Sequence, residues 1–150
     1  LVLQVPPIVS RVAFSFAFRK ERLSMHPNHV RLTAIDPVKA KNLFDVGLAV
    51  LVDVREEDEW RTEHIPGAIL NPLSQFEAAR VPANGGRKVI LYCHGGARSP
   101  KAADLLYRAG HMDLMHLRGG LTGWKQAGMA IERVDSSSNG NEVAFEVPGL

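Results

Sequence analysis

Cysteine is almost absent: Cys93 is the only one in 150 residues. One thiol cannot close an internal disulfide, and beside six scattered histidines it offers no Cys-x-x-Cys or paired-His spacing for structural zinc. The expected home is a reducing compartment, and no metal is expected. Long apolar runs are missing as well. The longest candidate, "VAFSFAF" (Val12 to Phe18), is bracketed by Arg11 and Arg19, far short of the roughly 18–20 residues that cross a bilayer. Charge of one sign is also scarce, because a formal net charge of +2 is too small to imply a nucleic-acid surface. Neither a Gly-rich phosphate loop ending in Gly-Lys-Ser/Thr nor a Gly-x-Ser-x-Gly elbow occurs. What is present, 45% hydrophobic and 23% charged residues, suits one globular domain with a sizeable core.

Residues 1–28 read as a leader or extension. They combine Pro6-Pro7 with Arg11, Arg19, Lys20 and Arg22 against Glu21 alone, and they show neither helical period nor strand alternation. An organelle-targeting leader, a read-through upstream of Met25 and a flexible extension are the three readings, with a cytoplasmic protein as the expectation. Residues 29–132 form the expected domain. Residues 133–150, which include "VDSSSNGNEVAFEVPGL", read as a mobile C-terminal tail with a weakly apolar end that could dock.

Inside the domain, strand and helix signals alternate. Val30–Ile35, Ala49–Val54, Ala68–Leu70, Lys88–Tyr92 and Leu114–Leu117 read as strands. Asp36 is the expected N-cap of a helix with Pro37 at its first position and Gly47 as its stop. "REEDEWRTE" reads as a short acidic helix ended before Pro66, with its acids on a solvated face. Leu73–Arg80 is helical in composition, Pro82–Arg87 is a turn, and a helix runs from Ser99, as N-cap, to a stop at Gly110. Leu121–Gly128 is a last short helix. The alternation predicts an α/β fold with a mostly parallel sheet.

In such a sheet ligands gather at the carboxyl ends of strands, where loops enter helix N-termini. "CHGGARS" (Cys93 to Ser99) lies at that place. A lone cysteine is usually inert core, but its neighbours here are polar, flexible and cationic. Gly95 and Gly96 let the loop turn several N–H groups inward as a nest, and the following helix N-terminus favours an anion. A free thiol is only a few per cent ionised at neutral pH, and such surroundings with Arg98 nearby favour the thiolate. Cys93 therefore reads as a nucleophile.

The loop resembles the Cys-x-x-Gly-x-Arg-Ser active-site loop of single-domain rhodanese-like sulfurtransferases, with Cys93, Gly96, Arg98 and Ser99 on the matching positions. "LVDVRE", "EHIPGAI" and "LRGGLTGW" resemble three further motifs of that family in the same order, so the likeness spans about Val30 to Ile131. The resemblance implies a three-layer fold with a central, mostly parallel five-stranded sheet flanked by helices. It also implies a persulfide on Cys93, loaded from thiosulfate or a similar small anionic donor and passed to cyanide or a thiol, including a protein thiol. No cofactor, nucleic acid or membrane is implied.

Carried over by position, Cys93 and Arg98 are the catalytic candidates, with Arg98 holding the anionic donor. His94, Gly95, Gly96, Ala97 and Ser99 line the substrate, and the N–H groups from His94 to Ser99, that of Arg98 included, would stabilise the persulfide anion. His94 reads as loop lining. Asp53 and Arg55 read as structural partners bordering the site, His64 as a pin for the Pro66-Gly67 turn, and Trp124 as core. The rival readings are a persulfide carrier, a non-catalytic rhodanese-like binding module, and a Cys-dependent phosphatase or arsenate reductase. The last uses a Cys-x5-Arg loop, whereas Cys93 to Arg98 is Cys-x4-Arg.

Overall fold

The computed structural model describes residues 32–82, 85–134 and 143–146. The readings made of residues 1–28, of Val30 and Arg31, and of most of the C-terminal tail lie outside the described residues. Five strands, β1 (Thr33–Ile35), β2 (Ala49–Asp53), β3 (Ile69–Leu70), β4 (Lys88–Tyr92) and β5 (Leu114–Leu117), form one parallel sheet in the order β1-β5-β4-β2-β3. A parallel sheet buried on both faces selects continuous apolar runs. In β2, Ala49 and Leu51 pack on one face while Val50 and Val52 pack on the other.

The first face is covered by α1 (Pro37–Asp45) and α4 (Gly120–Gln126), through Ala40, Leu43, Phe44, Leu121 and Trp124. The second is covered by α3 (Ser99–Arg108), through Ala102, Ala103 and Leu106, and by the segment carrying Leu73, Phe76 and Val81. Each fully buried Leu or Ile contributes about 1.5–3 kcal/mol. Eight such side chains, including Leu51, Ile90 and Leu117, are below 2% exposed. The two apolar faces, rather than surface ion pairs, hold this sheet together.

Local chemistry sets the element ends. The Asp36 carboxylate accepts the Val38 N–H at 2.9 Å, and Pro37 opens α1. α2 (Glu57–Thr62) starts with the Glu56 N–H donating to the Glu59 carboxylate at 3.1 Å. Ser99 is not the N-cap of α3: Arg98 holds that position, and the Ser99 hydroxyl donates to the Gly96 carbonyl at 3.2 Å, inside the loop.

Two stretches depart from the sequence reading. Leu73–Arg80 is not one helix but two 3-10 turns, Leu73–Gln75 and Ala78–Arg80. The Asn71 side chain donates to the Glu77 carbonyl and accepts the Glu77 N–H, and this clasp diverts the backbone from a helical ladder. β6 (Ile131–Val134), which the sequence reading did not assign as a strand, pairs antiparallel with β7 (Val143–Glu146), the weakly apolar tail end that was expected to dock. Among the described residues no helix is long and apolar enough to cross a membrane.

Candidate active site

Cys93 follows β4 directly, and α3 begins at Ser99, so the loop between them turns in six residues at the carboxyl end of the sheet. The side chain packs with Val52, Leu91 and Ala102 and is 1% exposed. Its sulfur nevertheless receives backbone donors: the Gly96 N–H at 3.0 Å and the Arg98 N–H at 3.4 Å. Gly96 lies at φ 107°, the left-handed side that only glycine adopts without strain, and this folds its N–H inward.

Burial pushes the Cys93 thiol up. The N–H groups of Arg98, Ser99, Gly96 and Gly95 more than offset that burial, and the thiol is held below its ordinary value. The inward ring is thus made by four of the expected donors, while His94 and Ala97 are exposed at the rim. A thiolate in this position is a nucleophile held in a cup of oriented dipoles.

Arg98 is placed otherwise than the sequence suggested. Both terminal nitrogens of its guanidinium donate to Glu59, at 2.6 and 2.7 Å. A fork-to-carboxylate pair of this kind fixes geometry. The Arg98 fork holds the Glu59 carboxyl down to about 2, against burial and with help from the Glu56 N–H. Arg98 therefore contributes its backbone N–H to the sulfur and its side chain to Glu59 of α2. Glu59 escaped the sequence reading because it lay in a run of acids read as a solvated face. The signal was its spacing of three from Glu56, the interval of a capping residue turned back over the helix start.

Asp53 and Arg55 are brought together beside the loop as a closed pair. Arg55 donates to Asp53 from its Nη2 at 2.7 Å, its Nε at 3.0 Å and its backbone N–H at 2.9 Å, and a further bond runs from Nη2 to the Glu63 carbonyl at 2.6 Å. Asp53 is fully buried and Arg55 is 2% exposed. Tyr92, opposite Asp53 across β2 and β4, accepts the Ile65 N–H at 3.2 Å and lies under the Arg55 guanidinium. Burial and the Asp53 charge push its phenol well above the usual range, so it stays neutral. Tyr92 joins three segments here, a role its place in an apolar strand did not announce.

His64 does not pin the turn that follows it. Its Nδ1 meets the Trp60 carbonyl at 2.8 Å, its ring stacks on Trp60 at 3.8 Å, and its backbone pairs with Glu132. It fastens α2 to β6. The turn itself is held at Gly67, φ 78°, where the Phe44 ring occupies the space a Cβ would need. Trp124 is core, as expected, with its Nε1 donating to the Ala130 carbonyl at 2.9 Å. Among the described residues no three His, Cys, Asp or Glu side chains gather as metal ligands.

Comparison with known proteins agrees with this geometry. Residues 36–127 match the model of the rhodanese-like domain. The chain is 40% identical over 95 residues to the uncharacterized protein slr1261 of Synechocystis, a match covering 63% of this chain and 53% of that one. It thus spans about half the length of that relative. It is 32% identical over 92 residues to a protein named sulfurtransferase from Allochromatium vinosum, covering 61% of this chain and 86% of that one. The rhodanese-like domain of the Anabaena protein Alr3790 superposes with a TM-score of 0.60 at 24% identity, over 78% of this chain and 92% of that one.

Proposed function

The chain belongs to the rhodanese-like family, a family of sulfurtransferases, and from that premise we propose that it moves sulfane sulfur through a persulfide on Cys93. The observation that carries the proposal is the convergence of the Gly95, Gly96, Arg98 and Ser99 N–H groups on one thiol. The Cys93 thiolate attacks the outer sulfur of thiosulfate. A new S–S bond forms at Cys93, the donor's S–S bond breaks, and its electron pair leaves with sulfite. The persulfide anion keeps the single negative charge of the thiolate, and the same N–H groups stabilise both. Cyanide or a thiol then takes the outer sulfur, and the thiolate returns.

The loop also speaks against phosphoryl chemistry. A phosphate cradle needs a wide loop and a free guanidinium aimed at the transferred group. Cys93 and Arg98 are separated by only four residues, and the guanidinium is bound to Glu59. A single sulfur atom needs neither.

Intact mass measured after thiosulfate, and again after cyanide, tests the proposal. Wild type gains one sulfur atom that cyanide removes, and Cys93→Ser gains none. A wild type that takes up no cyanide-removable sulfur, or a Cys93→Ser that takes up as much, ends the sulfurtransferase reading. Hydrolysis of an aryl phosphate that depends on Cys93 would replace it with the phosphatase.

A further inference from the structure

We propose that the first turn of α4, opened by Gly120, is the positioning element that sets the direction of the N–H groups around Cys93. The proposal deepens the sulfur-transfer reading, and rests on it for its catalytic consequence alone. Helix first-turn N–H groups have no partner within their own helix. Here two of them are directed at the cysteine loop: the Leu121 N–H donates to the Cys93 carbonyl at 2.8 Å, and the Thr122 N–H donates to the His94 carbonyl at 3.1 Å.

A peptide unit is planar and trans, so its carbonyl and the following N–H point in opposite directions. Fixing the His94 carbonyl on α4 therefore directs the Gly95 N–H away from α4, into the loop. That N–H is one of the four that favour the thiolate. The same anchor on the Cys93 carbonyl fixes the first peptide plane after the nucleophile. Packing against Gly95 and Gly96 does not orient these peptides, since a Cβ at either would meet nothing within 4 Å. The α4 bonds add to the loop's own bond from the Ser99 hydroxyl to the Gly96 carbonyl.

Gly120 is the residue that permits this approach. A Cβ there would stand 2.4 Å from the Cys93 carbonyl oxygen and 2.7 Å from that of His94, both backbone atoms that cannot swing aside. Gly120 also sits at φ 57° and follows Gly119 at φ 72°, two successive left-handed residues that bring the helix start onto the loop. Any side chain at 120 must drive α4 and the loop apart.

The test is the pH profile of Cys93 alkylation by iodoacetamide in the full chain, a readout that needs no sulfur donor. Gly120→Ala should alkylate about tenfold more slowly at pH 7, and rates should converge with wild type near pH 10, where every thiol is ionised. Thr122→Pro deletes one donor at a first-turn position that accepts proline, and about a threefold loss is expected. Gly128→Ala strains the far end of the same helix at φ 77° in open space, and should keep the wild-type profile. Folded Gly120→Ala and Thr122→Pro proteins with wild-type profiles would overturn the proposal. Should both variants fail to fold, hydrogen exchange in wild type decides: slow exchange of the Leu121 and Thr122 amides supports the anchor, and exchange within seconds overturns it. Sulfur loading from thiosulfate is measured separately. Its absence would remove the sulfurtransferase reading and leave the alkylation profile standing.

Discussion

Two polar devices stand on neighbouring rungs of the sheet and are built by opposite means. Asp53 and Tyr92 face each other across β2 and β4, and Cys93 follows Tyr92 by one residue. In the Asp53–Arg55 pair, buried side chain meets buried side chain, and the Glu63 carbonyl takes a further Arg55 donor. In the cysteine loop the sulfur meets backbone N–H groups, and the Arg98 guanidinium is held by Glu59. The contrast teaches what makes a buried charge useful. A closed ion pair fixes position, whereas an anion held by backbone dipoles can gain and lose a neutral sulfur atom without disturbing any side-chain pair.

The sharpest way to break the comparison is to open the closed pair. Arg55→Met leaves the fully buried Asp53 carboxylate without its cation, and about 3–5 kcal/mol of stability should be lost. Urea unfolding at neutral pH measures it. Cys93→Ser should stay within about 1 kcal/mol of wild type, because the hydroxyl still accepts the loop N–H groups. A stability loss that is equal in the two variants would erase the distinction between a structural charge and a reactive one.

The same distinction explains what was legible in the sequence. The buried strands, Asp36 as cap, and the cysteine loop before a helix are local patterns, each written in adjacent residues. The five-stranded parallel architecture followed from their alternation and from the family resemblance. What stayed hidden depends on partners distant in sequence. Glu59 meets Arg98 across 39 residues, and Tyr92 meets Ile65 across 27. No periodicity reports such pairs. Leu73–Arg80 failed for a related reason: its helical composition was overruled by the Asn71 clasp on Glu77. The β6–β7 pairing was legible only as a weakly apolar tail end that could dock, because β6 itself carried no strand signal that the reading assigned.

Glu59→Gln should have a smaller effect than Arg55→Met, about 1 kcal/mol at neutral pH, since both partners of the Arg98–Glu59 pair are about a third exposed and screened by solvent. Its pH dependence identifies it. The Glu59 carboxyl sits at about 2 in the fold against an ordinary 4.5. Its contribution is therefore fully present above pH 4.5, and it is lost as pH falls from there towards 2. The gap in urea midpoint between wild type and Glu59→Gln should close over that window. A gap that is constant from pH 7 to pH 2.5 would mean that the carboxylate charge contributes nothing.

The smallest effect is expected at His94, the residue next to Cys93. Its imidazole is exposed and makes no hydrogen bond or ion pair within the described residues, and only its backbone is tied down, through the Thr122 N–H. If the loop is charged by its backbone, His94→Ala should change the pH 7 alkylation rate of Cys93 by less than about twofold. A loss of tenfold or more would mean that the His94 side chain assists the thiolate after all. The cysteine loop would then resemble the Asp53–Arg55 pair more closely than its geometry suggests.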